Sequence, residues 1–286
     1  MCSAHKIAPF LGLDSAGGPA GHAGFEGIRK ENDVIPRIGI LVLLCVLVCG
    51  SGAAVAQSEM SSRLNQEEVG DITPGTYSAG RSTFTLDAYG DKYLLRVSGD
   101  PEIYVLYVEP APLGGRTLKY DSGAAAIRVA GWGGLTLYTD NAPGGVAAER
   151  SGDSLPPAPA QVSLGEVQNA ADDESEHLAY SREVHATFTA DWAALSGDAR
   201  MRALCFDAME NAARGIDRFL SRAPARTAFA RRIDQVRIAL GTKPVMFLSG
   251  RTLNITFDAR AGYAGRASSR GIARAMGQLL GVPTAG

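Results

Sequence analysis

Hydrophobic positions along this chain follow two different periods, and the change of period divides it. From residue 83 the alternation is strand-like: Phe84, Leu86 and Ala88 are set against Thr83, Thr85 and Asp87, then Tyr93, Leu95 and Val97 against Lys92, Leu94 and Arg96. Residues 103–108 form a continuous β-branched and aromatic run. A period of two places successive side chains on opposite faces of a strand. Gly90-Asp91 joins the first two runs with Gly first, the pattern of a type II′ hairpin turn. Breaks at Gly99-Asp100-Pro101, Gly114-Gly115, Ser122-Gly123 and Gly131-Trp132-Gly133-Gly134 set off further strands at 117–120, 126–129 and 135–139. These connections are too short for crossovers, so neighbouring strands pair antiparallel. About six short strands at this spacing predict a meander, either a curled sheet or a small barrel.

Residues 140–162 hold Pro143, Pro156, Pro157 and Pro159 with Gly144, Gly145 and Gly152, and read as a Pro/Gly-rich connector over the surface. Beyond it the period is helical. A helix is predicted over residues 170–184, and a longer one from near Asp198, with Met201, Leu204, Cys205, Ala208, Ala212, Ile216, Phe219 and Leu220 on one face. Phe229, Ile233, Val236 and Leu240 repeat that spacing and predict a further helix stopped by Gly241. A hairpin is predicted from 245–248 and 253–257 around Ser249-Gly250. Ser268 or Ser269 then caps a last helix, with Ile272, Met276, Leu279 and Leu280 inward, Gly281 at its end and Pro283 beyond. The fold class is α+β: an antiparallel meander at 57–139, the connector, then a helical part at 163–286 with one hairpin at 245–257.

The run at residues 38–49 is apolar without interruption, follows Arg29, Lys30 and Arg37, and leads to Ala54-Val55-Ala56. This is the layout of a secretory signal, with cleavage after Ala56 and Gln57 as the new N-terminus. A bilayer span needs about 20 apolar residues, whereas this run gives way to Gly, Ser and Ala after Cys49. No integral membrane segment is therefore expected after cleavage, and the protein is expected in the periplasm or outside the cell. Residues 1–37 form a leader with no apolar period, as from a start assigned too far upstream. Composition adds one constraint: Cys2, Cys45 and Cys49 fall in or before the signal, so Cys205 is left as a lone thiol, expected to be a small buried hydrophobe. The net charge of -2 hides an asymmetry. Residues 57–193 carry 9 Lys and Arg against 20 Asp and Glu, a balance of -11, and residues 194–286 carry 15 against 6, a balance of +9. The two parts either dock by charge, or the arginines face outward and take an anion.

Tyr93-Leu94-Leu95-Arg96, Pro101-Glu102-Ile103, Ile127-Arg128-Val129 and above all Gly131-Trp132-Gly133-Gly134-Leu135-Thr136-Leu137-Tyr138-Thr139 with Pro143-Gly144-Gly145 resemble a family of exported proteobacterial proteins of unassigned function. An echo of it lies in Gly262-Tyr263-Ala264-Gly265-Arg266-Ala267-Ser268-Ser269. The resemblance implies secretion and a strand-first unit, and brings no catalytic residues with it.

Four groups of residues are candidates for chemistry. Gly152-Asp153-Ser154-Leu155 spells the nucleophile block of GDSL-type esterases, but no histidine follows His185 to serve as the base that such a serine requires. Asp172, Asp173, Glu174, Glu176, His177 and His185 have metal-ligand chemistry, although carboxylates in the first turns of a helix also answer its dipole. Gly131-Trp132-Gly133-Gly134 precedes a strand rather than the helix a dinucleotide loop needs, and reads as a turn with Trp132 covering one end of the sheet. Arg231, Arg232 and Arg237, beside one helical stripe, are the candidate anion-binding residues. No cofactor motif is present, and export argues against nucleic acid as a partner. The reading is an exported envelope protein that binds a lipid, glycan or protein component, with an exported hydrolase as the alternative.

Overall fold

The computed structural model describes residues 71–158 and 160–283. The expected leader, the expected signal at 38–56 and the entry segment to residue 70 lie outside the described residues. Among the described residues eight strands come first: β1 (Gly75–Ala79), β2 (Ser82–Tyr89), β3 (Lys92–Val97), β4 (Ile103–Pro110), β5 (Arg116–Lys119), β6 (Ala125–Val129), β7 (Leu135–Thr139) and β8 (Ala142–Gly152). Each pairs antiparallel with the next, and β8 pairs back onto β1, so the meander closes into a barrel. Eight strands enclose an interior that side chains alone can fill. Leu86, Leu95, Leu106, Leu118 and Leu137 are buried there, with Tyr77 stacked on Phe84 at 5.3 Å. Full burial of each leucine is worth about 1.5–3 kcal/mol. Gly90, at φ 61, makes the two-residue turn between Tyr89 and Lys92, as the type II′ pattern requires.

The turns after β1, β3, β5 and β7 gather at one pole of the barrel, and those after β2, β4 and β6 at the other, together with the entry into β1. Residues 142–152, expected within the surface connector, are instead the closing strand. Their Pro, Gly and Ala residues give no wet-and-dry alternation, because only Val146 and Ala148 lean on the core. Gly145, at φ 82, is required: a Cβ there would meet the Tyr138 ring at 2.8 Å.

The second part holds α1 (Leu164–Arg182), α2 (Trp192–Leu195), α3 (Ala199–Leu220), α4 (Ala223–Arg232) and α5 (Ser269–Leu280). Its sheet has the order β11 (Met246–Ser249), β12 (Thr252–Phe257), β10 (Gln235–Leu240), β9 (Thr187–Ala190). Strand β10 runs parallel to β9 and β12, and β11 antiparallel to β12 as the predicted hairpin. Ser163 and Glu166 form a capping box that starts α1, Asp198 caps α3, and Ser268 caps α5, which ends on Gly281 at φ 67. The apolar stripe of α3 packs against α1 on one side and α5 on the other, with the sheet beneath. The expected helix through Leu240 is corrected. It stops at Arg232, and residues 235–240 form β10, because Val236 and Ile238 go inward while Arg237 goes out, a period of two that the 229/233/236/240 spacing concealed. Cys205 is buried in this core, and burial pushes its thiol up to about 12. Barrel and helical part have separate apolar cores.

Candidate functional site

Where the first pole of the barrel meets α1, α3 and α5 there is a cleft of about 440 Å³. Its floor comes from the β3–β4 connection. Asp100 Oδ1 accepts from the Glu102 backbone N–H at 3.0 Å, which holds the turn, and Asp100 Oδ2 accepts from the Tyr104 hydroxyl at 2.8 Å. Glu102 then points away from the barrel, 2% exposed, toward the first turn of α5. Its Oε1 accepts from Ser269 N–H at 2.8 Å, one of the free donors of a helix N-terminus, while Oε2 is buried without a hydrogen-bond partner. Burial pushes the Glu102 carboxyl above its ordinary range, against the pull of Ser269, Tyr104 and Arg266.

The opposite wall is built by α1 and α3, which place Glu174, His177, Glu210, Arg214 and Asp217 along the cleft. Burial raises the Glu174 carboxyl, and the negative charge of Glu210 adds to it. Both arginines of the lining are committed: Arg214 to Glu210 at 2.8 Å and Arg218 to Asp140 at 2.5 Å. Arg182, just outside, grips Asp217 through two nitrogens at 2.6 and 2.8 Å. Asp100, Tyr104 and Arg218 also line a second cavity of about 420 Å³ across the barrel mouth. There Arg270 lies 4.6 Å over the Tyr120 ring and reaches Asp140 at 2.8 Å. Burial drives the Tyr120 hydroxyl up to about 12, and burial opposes, without overcoming, the two arginines that hold Asp140 below the usual range.

The same seam fastens the two parts together. Asp121, at the β5–β6 turn, accepts from Ser268 N–H at 2.7 Å and from Ser268 Oγ at 2.5 Å, and Arg266 donates to the Ile103 carbonyl at 3.1 Å. Two pieces of the sequence resemblance, Pro101-Glu102-Ile103 and the stretch ending Arg266-Ala267-Ser268-Ser269, thus touch. The docking of oppositely charged parts is narrower than the charge balance implied. Among the described residues, Asp140 is the carboxylate of the acidic part that pairs with arginines of the basic part, and the other links include helix N–H and hydroxyl donors to Asp121 and Glu102, arginine bonds to the Ile103 and Ser122 carbonyls, and the Tyr89 hydroxyl bonded to the Ala261 carbonyl.

Of the residues singled out in the sequence, Glu174 and His177 reach the cleft, while Asp172, Asp173, Glu176 and His185 are exposed. Among the described residues no three His, Cys, Asp or Glu side chains are arranged to hold a metal ion. The Ser154 hydroxyl donates to Asp87 at 2.6 Å, and Asp87 is paired with Arg96 at 2.8 Å. Arg231 and Arg232 end α4, with Arg232 donating to the Leu279 carbonyl at 3.1 Å, whereas Arg237 lies on the outer face of β10. They do not share a helix face, since the helix ends before Arg237. Trp132, expected to cover an end of the sheet, is exposed. Sequence reasoning missed Glu102, Asp100, Tyr104 and Arg270, because nothing in a lone Glu between Pro101 and Ile103 signals burial.

No helix among the described residues is long and apolar enough to cross a membrane. Neither the curated proteins nor the solved structures include a match to this chain. Residues 56–276 match a family described as a domain of unknown function, DUF4908, and the chain belongs to that family.

Proposed function

We propose that this is an exported binding protein that holds a small, positively charged ligand in the cleft at the barrel mouth. The observation that carries the reading is Glu102: a buried carboxylate oxygen without a donor, in a cleft whose lining sets five carboxylates against two arginines already engaged with carboxylates. A buried unpaired acceptor costs about 1–3 kcal/mol, more when charged, and a ligand ammonium or hydroxyl placed against Oε2 recovers that cost. The surplus of carboxylates favours a cation in this cleft. Export is supported by the signal-like run and by a family match that starts at residue 56, next to the expected cleavage point. The hydrolase alternative gains nothing from Ser154, whose hydroxyl is turned to a carboxylate that is itself tied to arginine.

Amide spectra of the protein titrated with glucosamine, spermidine and glucose test this. Glucosamine or spermidine shifts the amides of Glu102, Tyr104 and Ser269, glucose shifts them less, and Glu102→Gln, which keeps the acceptor for Ser269, weakens the response about tenfold, as the loss of a charge-assisted bond predicts. Silence of these amides toward both amines at millimolar concentration refutes the reading.

A further inference from the structure

The second pole of the barrel, away from the cleft, presents two large apolar side chains to water. Leu113, in the β4–β5 connection, is 83% exposed, and Trp132, in the β6–β7 connection, is 81% exposed. The two connections are packed together. A Cβ on Gly131 would overlap the Leu113 carbonyl oxygen, so only glycine lets the Trp132 turn lie against the Leu113 turn. Leu113 sits at φ 59, in the left-handed region that a leucine adopts at a cost. Glycine would fill that position without strain, yet the chain spends stability to hold an apolar side chain outward. Around the pair, Pro112, Gly114, Gly133 and Gly134 are exposed too, so both side chains stand above bare backbone as projecting tips.

We infer that this pole is a membrane-docking tip, with Leu113 and Trp132 entering the interfacial layer of an anionic lipid surface. Shape argues for lipid. A stable protein partner needs about 800 Å² per side and a packed set of anchors, whereas a lipid surface closes around two isolated projections, and an indole suits the interface, where its ring is dry and its N–H wet. Charge agrees. Arg128 is exposed on the strand leading to the Trp132 tip, and the nearby Glu109 is neutralised by Lys119 at 2.5 Å. This inference is independent of the cleft.

The test uses the full chain with Trp192→Phe, which leaves Trp132 as the sole tryptophan. Its emission is followed on vesicles of phosphatidylglycerol with phosphatidylethanolamine, with and without brominated acyl chains. Insertion predicts a blue shift and quenching by bromine, readouts local to the tip. Leu113→Gly should weaken vesicle affinity at least about tenfold, from the lost leucine surface, while raising the thermal midpoint because the strained φ is relieved. Arg128→Gln should weaken it about fivefold on anionic vesicles and leave phosphatidylcholine binding unchanged. An emission that neither shifts nor is quenched overturns the inference, and so does a Trp132 shielded by self-association in sedimentation while vesicles have no effect.

Discussion

Gly271→Ala should change sign with its background. Gly271 lies in the first turn of α5, where alanine normally gains about 1 kcal/mol from helix propensity. Here a Cβ would stand 2.5 Å from Asp121 Oδ2 and 2.8 Å from Oδ1, closer than real contacts allow. The carboxylate must swing away and give up its bonds to Ser268 N–H and Ser268 Oγ. Bonds to a charged group are worth about 1.5–3 kcal/mol each. Asp121 is exposed, which argues for the low end, so about 3 kcal/mol is lost for the pair and the net effect is about 2 kcal/mol destabilising. In an Asp121→Ala background those bonds are already gone and the space is free, so the same Gly271→Ala should stabilise by about 1 kcal/mol. Urea denaturation of the four proteins of the cycle, followed by circular dichroism, measures both effects and a coupling of about 3 kcal/mol. A Gly271→Ala effect of the same sign in both backgrounds refutes the view that Asp121 clasps the start of α5.

Two further expectations concern titration. Burial raises the Glu102 carboxyl above its ordinary 4.5, so the folded protein binds that proton more tightly than the unfolded chain. Its contribution is fully present below pH 4.5 and is lost as pH rises through the folded value. The stability of Glu102→Gln relative to the parent should therefore increase with pH across that range, and urea midpoints whose difference is flat in pH would show Glu102 to be solvated. For Cys205, burial holds the thiol near 12, so labelling by a thiol reagent at about pH 8 should proceed at the rate of unfolding, with prompt labelling as the contrary result.

The strands of the barrel were legible because their interior is filled by side chains that alternate with wet ones, as at Phe84 and Leu86. The closing strand was not, since residues 142–152 are mostly Pro, Gly and small or polar residues and are recognised by their pairing with the neighbouring strands at Tyr77 and Leu137. Strand β10 was misread for a related reason: a six-residue run of mostly apolar character satisfies either period, and only its place between β9 and β12 decides. Local chemistry marked the starts of α3 and α5 and the end of α5, because Asp198, Ser268 and Gly281 act through their own side chain or backbone, whereas α1, expected from residue 170, begins at Leu164 behind the Ser163 and Glu166 capping box. The cleft stood at the other extreme. Glu102 and Ser269 are 167 residues apart, and neither carries a mark of the other.

The separation of the two candidate surfaces follows from the topology. In a meander, alternate turns must fall at opposite ends, so the connections carrying Asp100 and Asp121 cannot share a pole with those carrying Leu113 and Trp132. An eight-residue strand such as β4 rises about 26 Å, less its tilt, and that length stands between Glu102 and Leu113. At the cleft pole the helical part is held by Asp121, Glu102 and Asp140, and of these Glu102 also lines the cleft. A ligand taking up Glu102 Oε2 would therefore act on the seam that holds α5 to the barrel, whereas a lipid contact at Leu113 and Trp132 would leave that seam untouched. Glu102→Gln should accordingly alter amine binding without changing the response of Trp132 to vesicles, and Leu113→Gly the reverse.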